Sequence, residues 1–249
     1  MPARGGTGAR RAAVSVPLFR WDVPGPYDVV FTTRAGGISE GPFASLNLGR
    51  RTGDHVERVD ENRRRLCAEV GADEDDLTLG YQTHSTAVNR AEAGSRGAPG
   101  DGLWTDERGI PMLALGADCA LIAMARTNGS EPALAVLHAG WRGLLDGIVE
   151  SAASILGPGF AAIVGPAIGP CCYEVGEDVA RPFRARFGDE IVADRKLDLW
   201  TAAEQAARQA GASTVDRVDL CTRCREDLFF SERRTGRPRG TQGVLGLVR

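Results

Sequence analysis

Three residues able to hold a metal ion occupy the same kind of position in this chain: His84 in "YQTHS", Cys119 in "GADCA" and His138 in "LHAGWRG". Each stands where an apolar run gives way to small or polar residues. Two imidazoles and a thiolate suit zinc, which accepts both nitrogen and sulfur. Three protein ligands leave a fourth position open for water or substrate, the pattern of a catalytic site. Separations of 35 and 19 positions, with no short motif linking them, do not by themselves establish a site. A strand-end histidine taken alone is more often packed or hydrogen-bonded than metal-bound.

Other groups could act beside them. Arg34 and Arg142 each lie next to glycines at the end of an apolar run. A guanidinium there can donate two parallel hydrogen bonds to phosphate, although a surface arginine closing a turn fits as well. Asn47 is a candidate for a ribose hydroxyl, against the plainer reading of an Asx turn. Glu174 could serve substrate binding or proton transfer, but a solvated glutamate is the simpler expectation. Cys171 and Cys172 lie in a Pro- and Gly-rich loop and are expected to pack. Cys221 and Cys224 form a lone CxxC, for which no two further ligands follow at ribbon-type spacing, so a structural role is expected. His55, at a helix start, reads as a surface residue.

The elements that must position these groups follow from periodicity. "YDVVFTT" (27–33) is a short β-branched and aromatic run, expected as a strand, and leads into a long loop over 34–49 that carries buried-type residues Phe43, Leu46 and Leu48. Asp54 is expected to cap a helix from His55, whose apolar residues recur on one face until Gly71. Residues 77–91 read as two strand pieces around Gln82-Thr83-His84, and 94–102 as a plain loop. Residues 112–125 form a buried run interrupted at Asp118-Cys119, and 132–140 another. Helices are expected over 144–156, 175–187 and 199–210, with a strand leading into a loop over 160–176 and a strand over 214–220, then a turn into a short helix after Cys221. No internal repeat is visible. The sum is an α+β domain with a mixed sheet, lacking the regular alternation of a doubly wound fold.

Composition bounds the function. The 249 residues are 43% hydrophobic and 25% charged, ordinary for a globular chain long enough to bury a large core. A net charge of −3 gives no broad positive field for nucleic acid or an anionic membrane. No apolar window approaches membrane-spanning length. The basic, glycine-rich residues 1–13 are expected as a disordered tail ahead of one catalytic domain over 14–249. Six cysteines without a secretory signal point to a reducing compartment, the cytoplasm by default.

Taken in order, "TTRAGGIS", "SLNLG", "QTHS", "DGL.T", "ADC", "HAGWRG", "GPAIGPCCYEVG" and "CTRC..DLFFS" resemble the bacterial YfiH family of laccase-domain, or polyphenol-oxidoreductase, proteins, now regarded as purine nucleoside phosphorylases. The likeness spans about residues 27–234. It implies that His84, Cys119 and His138 bind zinc, in a single-domain mixed αβ sandwich. It also implies phosphorolysis of adenosine, inosine, methylthioadenosine and related nucleosides to the free base and ribose 1-phosphate, with Cys119, Arg34 and Arg142 as candidate catalytic groups. Adenosine deamination is implied as a side activity, and the assembly as a monomer or homodimer. Two features depart from the family: Glu232 stands where a tyrosine usually follows "FFS", and "TQGVLGLVR" replaces an aromatic C-terminal ending.

Two other readings compete. Copper oxidation of phenols needs several copper ions held largely on imidazole, and three histidines cannot supply them. A cysteine-type hydrolase or amidase, connected through relatives with peptidoglycan editing, would use Cys119 as nucleophile and His138 as base. Deamination would need a base other than the glutamate of zinc deaminases, which neither histidine motif supplies; Asp118 is the nearest candidate.

Overall fold

A computed structural model describes residues 16–249; the tail expected over residues 1–13 lies outside the described residues. The first half of the chain forms β1 (Leu18–Arg20), β2 (Tyr27–Thr32), α1 (Val56–Glu69), β3 (Leu79–Tyr81), β4 (Val88–Arg90), β5 (Arg96–Pro99), β6 (Gly102–Thr105) and β7 (Met112–Gly116). Next come β8 (Ala120–Arg126), β9 (Leu134–Ala139), α2 (Trp141–Asp146), α3 (Ile148–Leu156), β10 (Phe160–Val164) and α4 (Glu177–Phe187). The chain ends with β11 (Val192–Ala193), β12 (Lys196–Leu197), α5 (Leu199–Gln209), β13 (Ala212–Arg217), α6 (Glu232–Thr235) and β14 (Gln242–Val248).

Two sheets stack face to face. One is antiparallel, in the order β1-β2-β14-β7; the other is mixed, β13-β10-β8-β9-β6-β4, with parallel pairs at both ends. Strand side chains alternate between faces, and this sequence uses both. Val29 and Phe31 of β2 enter the core between the sheets, while Val30 faces outward to Leu66, Cys67 and Val70 at the α1 side. In β8, Leu121, Ala123 and Ala125 join the same inter-sheet core, and Ala120, Ile122 and Met124 meet the helices on the far side. The result is four layers: α1, the four-stranded sheet, the six-stranded sheet, and α2 to α5. Strands buried on both faces explain why their sequences read as unbroken apolar runs.

Several expectations are revised. The helix expected over 144–156 begins three residues earlier and is split, because Gly147 adopts φ 102° between α2 and α3. Such a left-handed angle is open to glycine and interrupts the helical path. The supposed loop over 94–102 contains β5, which pairs in parallel with β3. The C-terminal "TQGVLGLVR" supplies β14, a fully buried central strand between β2 and β7. Helix α1 starts at Val56 with His55 at its N-cap; the Asp54 carboxylate instead accepts from His55 N, Ser39 Oγ and Asn47 Nδ2. No described helix is long and apolar enough to cross a membrane.

Candidate metal centre

The paired strands β8 and β9 place Cys119 and His138 at one end of the six-stranded sheet. His138 lies opposite Leu121 in the β8–β9 register, and Cys119 directly precedes β8. His84 arrives from the β3–β4 connection. That connection is fixed by Gln82, whose side-chain amide donates to Leu115 O at 2.7 Å and accepts from Leu115 N at 2.9 Å, so that it pairs with β7 like a strand residue.

One ligand atom from each of His84, Cys119 and His138 lies within 4.8 Å of the others. His84 Nε2 is 3.9 Å from Cys119 Sγ, against about 3.6 Å across a tetrahedral zinc with ordinary Zn–N and Zn–S bonds. The two imidazoles meet edge to face, with centroids 4.9 Å apart. Burial is graded, from interior His138 through Cys119 to exposed His84, so the cluster opens to solvent on the His84 side. His84 at φ 62° and Asp118 at φ 94° are non-glycine residues in left-handed conformations beside these ligands. Strain of this kind persists only where the surroundings enforce it. Gly140 completes the cradle: a Cβ there would lie 2.6 Å from His84 Cδ2 and 3.3 Å from Cys119 Sγ. Donor types, spacing and the open side all fit one zinc ion.

Asp101, not singled out from the sequence, organises the centre. Its Oδ1 accepts from His138 Nδ1 at 2.8 Å and His84 N at 3.0 Å; Oδ2 accepts from Thr83 N at 2.9 Å, Ser85 N at 2.7 Å and Ser85 Oγ at 2.9 Å. Its main-chain oxygen accepts from His138 N. The Nδ1 bond turns His138 Nε2 toward the other ligands, the usual task of a carboxylate behind a metal-binding histidine. Burial would raise the Asp101 carboxyl, but the His138 bond and the Ser85 and Thr83 donors outweigh it and hold it well below the carboxylate range. Burial likewise opposes charge on Cys119 and His138. Their mutual attraction and hydrogen bonds prevail, bringing the thiol down to about 6 and the imidazole up to about 9.

Of the remaining candidates, Arg142 alone faces outward beside the centre. It occupies the first turn of α2, immediately beyond His138-Ala139-Gly140, with its guanidinium 4.2 Å above the Trp141 ring and no ion pair among the described residues. Arg34 donates Nε to Ala44 O and Nη1 to Glu226 O and lies over Phe230. It stitches two loops together. Asn47 is 0% exposed, with its amide committed to Gly49, Thr52, Asp54 and Thr241 as an interior bracket. Glu174 is solvated, its side chain 61% exposed and paired with Arg195. Asp118 has both carboxylate oxygens occupied, by Thr222 Oγ1 and Arg233 N, which leaves it a structural part of the turn. Tyr173 and Arg233 were also missed: Arg233 lies 5.1 Å over the Tyr173 ring, and burial raises the phenol well above its ordinary value.

The sequence model of the multi-copper polyphenol oxidoreductase laccase family matches residues 28–248. The chain belongs to this family. Among its relatives, a Haemophilus influenzae purine nucleoside phosphorylase is 32% identical, over 87% of this chain and 94% of its own length. A Deinococcus radiodurans purine nucleoside phosphorylase is 38% identical, over 88% of each. Among solved structures, the Bacillus licheniformis YfiH protein superposes with a TM-score of 0.83 at 28% identity, covering 90% of this chain and 93% of its own. The fold is thus that of YfiH proteins, and the family's copper-based name sits uneasily with a chain whose site offers two imidazoles.

Proposed function

We propose that the chain is a zinc-dependent purine nucleoside phosphorylase acting on adenosine, inosine and methylthioadenosine. The observation that carries this reading is the His84–Cys119–His138 cluster, closed behind by Asp101 and open in front, with Arg142 at its edge. Zinc bound there supplies a Lewis acid for polarising a substrate oxygen. Arg142 holds phosphate by charge-assisted hydrogen bonds against the anomeric carbon. A phosphate oxygen bonds to C1′ while the bond from C1′ to the purine nitrogen breaks, its electron pair leaving with the base, which takes up a proton. The sugar gains positive charge on the way, and the anionic phosphate held beside it stabilises that charge. Tyr173, kept protonated by burial, lies under the Arg233 guanidinium in the loop after β10.

Zinc is preferred to copper on ligand count. The described residues converge on one site with two histidines, and His55 lies apart at the start of α1. Incubation of the purified protein with adenosine and phosphate should release adenine and ribose 1-phosphate, only when phosphate is present. A chelator should abolish turnover and zinc should restore it. Absence of product from every purine nucleoside, with zinc bound, would end this reading.

A second reading, a cysteine hydrolase, is favoured by one observation: Cys119, His138 and Asp101 lie in the order of nucleophile, base and orienting carboxylate. Full activity after chelation, lost on alkylation of Cys119, would establish it instead.

A further inference from the structure

The CxxC at Cys221 and Cys224 is not alone. Cys171 and Cys172, which precede it by about fifty residues, meet it in space, and the four sulfurs lie within 4.8 Å of one another. Cys224 Sγ is 3.6 Å from Cys171 Sγ and 3.4 Å from Cys172 Sγ. A tetrahedral zinc with four thiolates has sulfurs about 3.8 Å apart along every edge. A disulfide would instead draw one pair together and leave the others apart; here one sulfur is nearly equidistant from two.

The backbone also meets the cluster. The Gly169 N–H donates to Cys221 Sγ at 3.3 Å. The turn that makes this possible is closed by Arg225 N donating to Cys221 O, and it is anchored to the loop after β10 by Thr222 N donating to Ala167 O. Two exposed, one intermediate and one buried cysteine form a cup that opens at the surface.

We propose that Cys171, Cys172, Cys221 and Cys224 bind a second zinc ion per chain, in a closed four-sulfur site separate from the His84–Cys119–His138 centre. With all four positions filled by protein, its role is structural. It clamps the loop after β10, which carries Tyr173, to the turn after β13. Thr222, inside the CxxC, donates Oγ1 to Asp118 Oδ1 at 2.6 Å, so the clamp also fixes the left-handed turn that presents Cys119.

Protein purified under reducing conditions should contain two zinc ions per chain by elemental analysis. Zinc-edge X-ray absorption should average about 2.5 sulfurs per ion, one sulfur at the first site and four at the second. The double variant C171S/C224S, altered only at exposed positions, should retain one zinc, and its cobalt-substituted form should lose the intense sulfur-to-metal charge transfer of a four-thiolate site. The H84A variant should keep that charge transfer. If the double variant does not fold, the absorption measurement on the unaltered chain decides. A single zinc with about one sulfur overturns the proposal, whether the four thiols are then free, paired as disulfides or holding another ion.

Discussion

Asp101 Oδ1 lies 2.8 Å from His138 Nδ1, and the same carboxylate receives three successive backbone N–H groups around His84, from Thr83, His84 and Ser85. One buried side chain thereby sets both the ring orientation of one ligand and the left-handed backbone of another. The exposed histidine depends on it through its own backbone N–H and those of both its neighbours.

Replacing this residue tests that dependence. Asp101→Asn cannot accept from the Thr83, His84, Ser85 and His138 donors as the carboxylate does, and its own N–H₂ would face some of them. Zinc affinity should fall 10- to 100-fold, the usual consequence of losing a carboxylate behind a metal-binding histidine. The apo protein should lose about 3 kcal/mol in denaturant unfolding, the scale of breaking a buried charged pair. The Asp101 carboxyl is held below its ordinary value. Its contribution is therefore complete above the unfolded value near about pH 4 and fades as pH falls through the lower folded value. That acid-limb loss should be present in the parent and missing in the variant; unchanged affinity and an unchanged acid limb would contradict the assignment.

Cys119 gives a pH signature without any assay of turnover. Burial opposes its ionisation, but the His138 charge and the hydrogen bonds from both imidazoles bring the apo thiol down to about 6. Alkylation of apo protein, followed on the Cys119 peptide, should rise through about pH 6 and level off by about pH 8, where an ordinary thiol is still gaining reactivity. His138→Ala should move that midpoint upward, and zinc should suppress the reaction in the parent. A midpoint near the ordinary thiol value would show that His138 and Cys119 do not form the pair described.

His84, Cys119 and His138 could be marked as candidate ligands by type and by their places at the ends of apolar runs, but only the family likeness joined them into one site. Their partners were less legible. Asp101 sits in a stretch of glycines that reads as featureless, and its importance comes from a β-ladder that brings the end of β6 beside β9. The only trace was the "DGL.T" block of the family likeness. The CxxC has no further ligands downstream; the cysteines it meets lie upstream, brought beside it by the parallel β10–β13 pair and the Thr222–Ala167 bond beyond it. Arg34 and Asn47 pose a different difficulty. Both stand in motif-like stretches, and both serve to hold the long loop after β2, a structural duty that residue type cannot distinguish from substrate contact.

Arg142, exposed in the first turn of α2 and with no ion pair among the described residues, is the phosphate contact proposed above. Arg142→Ala should raise KM for phosphate about ten- to a hundred-fold, in line with about 1.5–3 kcal/mol for hydrogen bonds to a charged group. KM for nucleoside should change far less. Arg142→Lys should recover only part of the loss, because an ammonium cannot reproduce the two parallel bonds of a guanidinium. If phosphate saturation is unchanged in the alanine variant, the anion is held elsewhere.

Gly140 separates the needs of the fold from those of the metal. Its φ of −65° is ordinary for any residue, so alanine brings no backbone strain. The added methyl would instead lie 2.6 Å from His84 Cδ2 and 3.3 Å from Cys119 Sγ. His84 is the exposed ligand on a loop, so it yields more easily than the strand-borne His138, and relief comes by displacing its ring. Gly140→Ala should therefore cost the apo protein only about 1–3 kcal/mol, as overpacking usually does. It should lower zinc affinity at least about ten-fold, because a displaced imidazole leaves two ligands in place of three. Calorimetric zinc titration beside thermal unfolding of the apo form separates the two effects. Tight zinc binding retained by this variant would mean that His84 does not approach the ion along the path seen here.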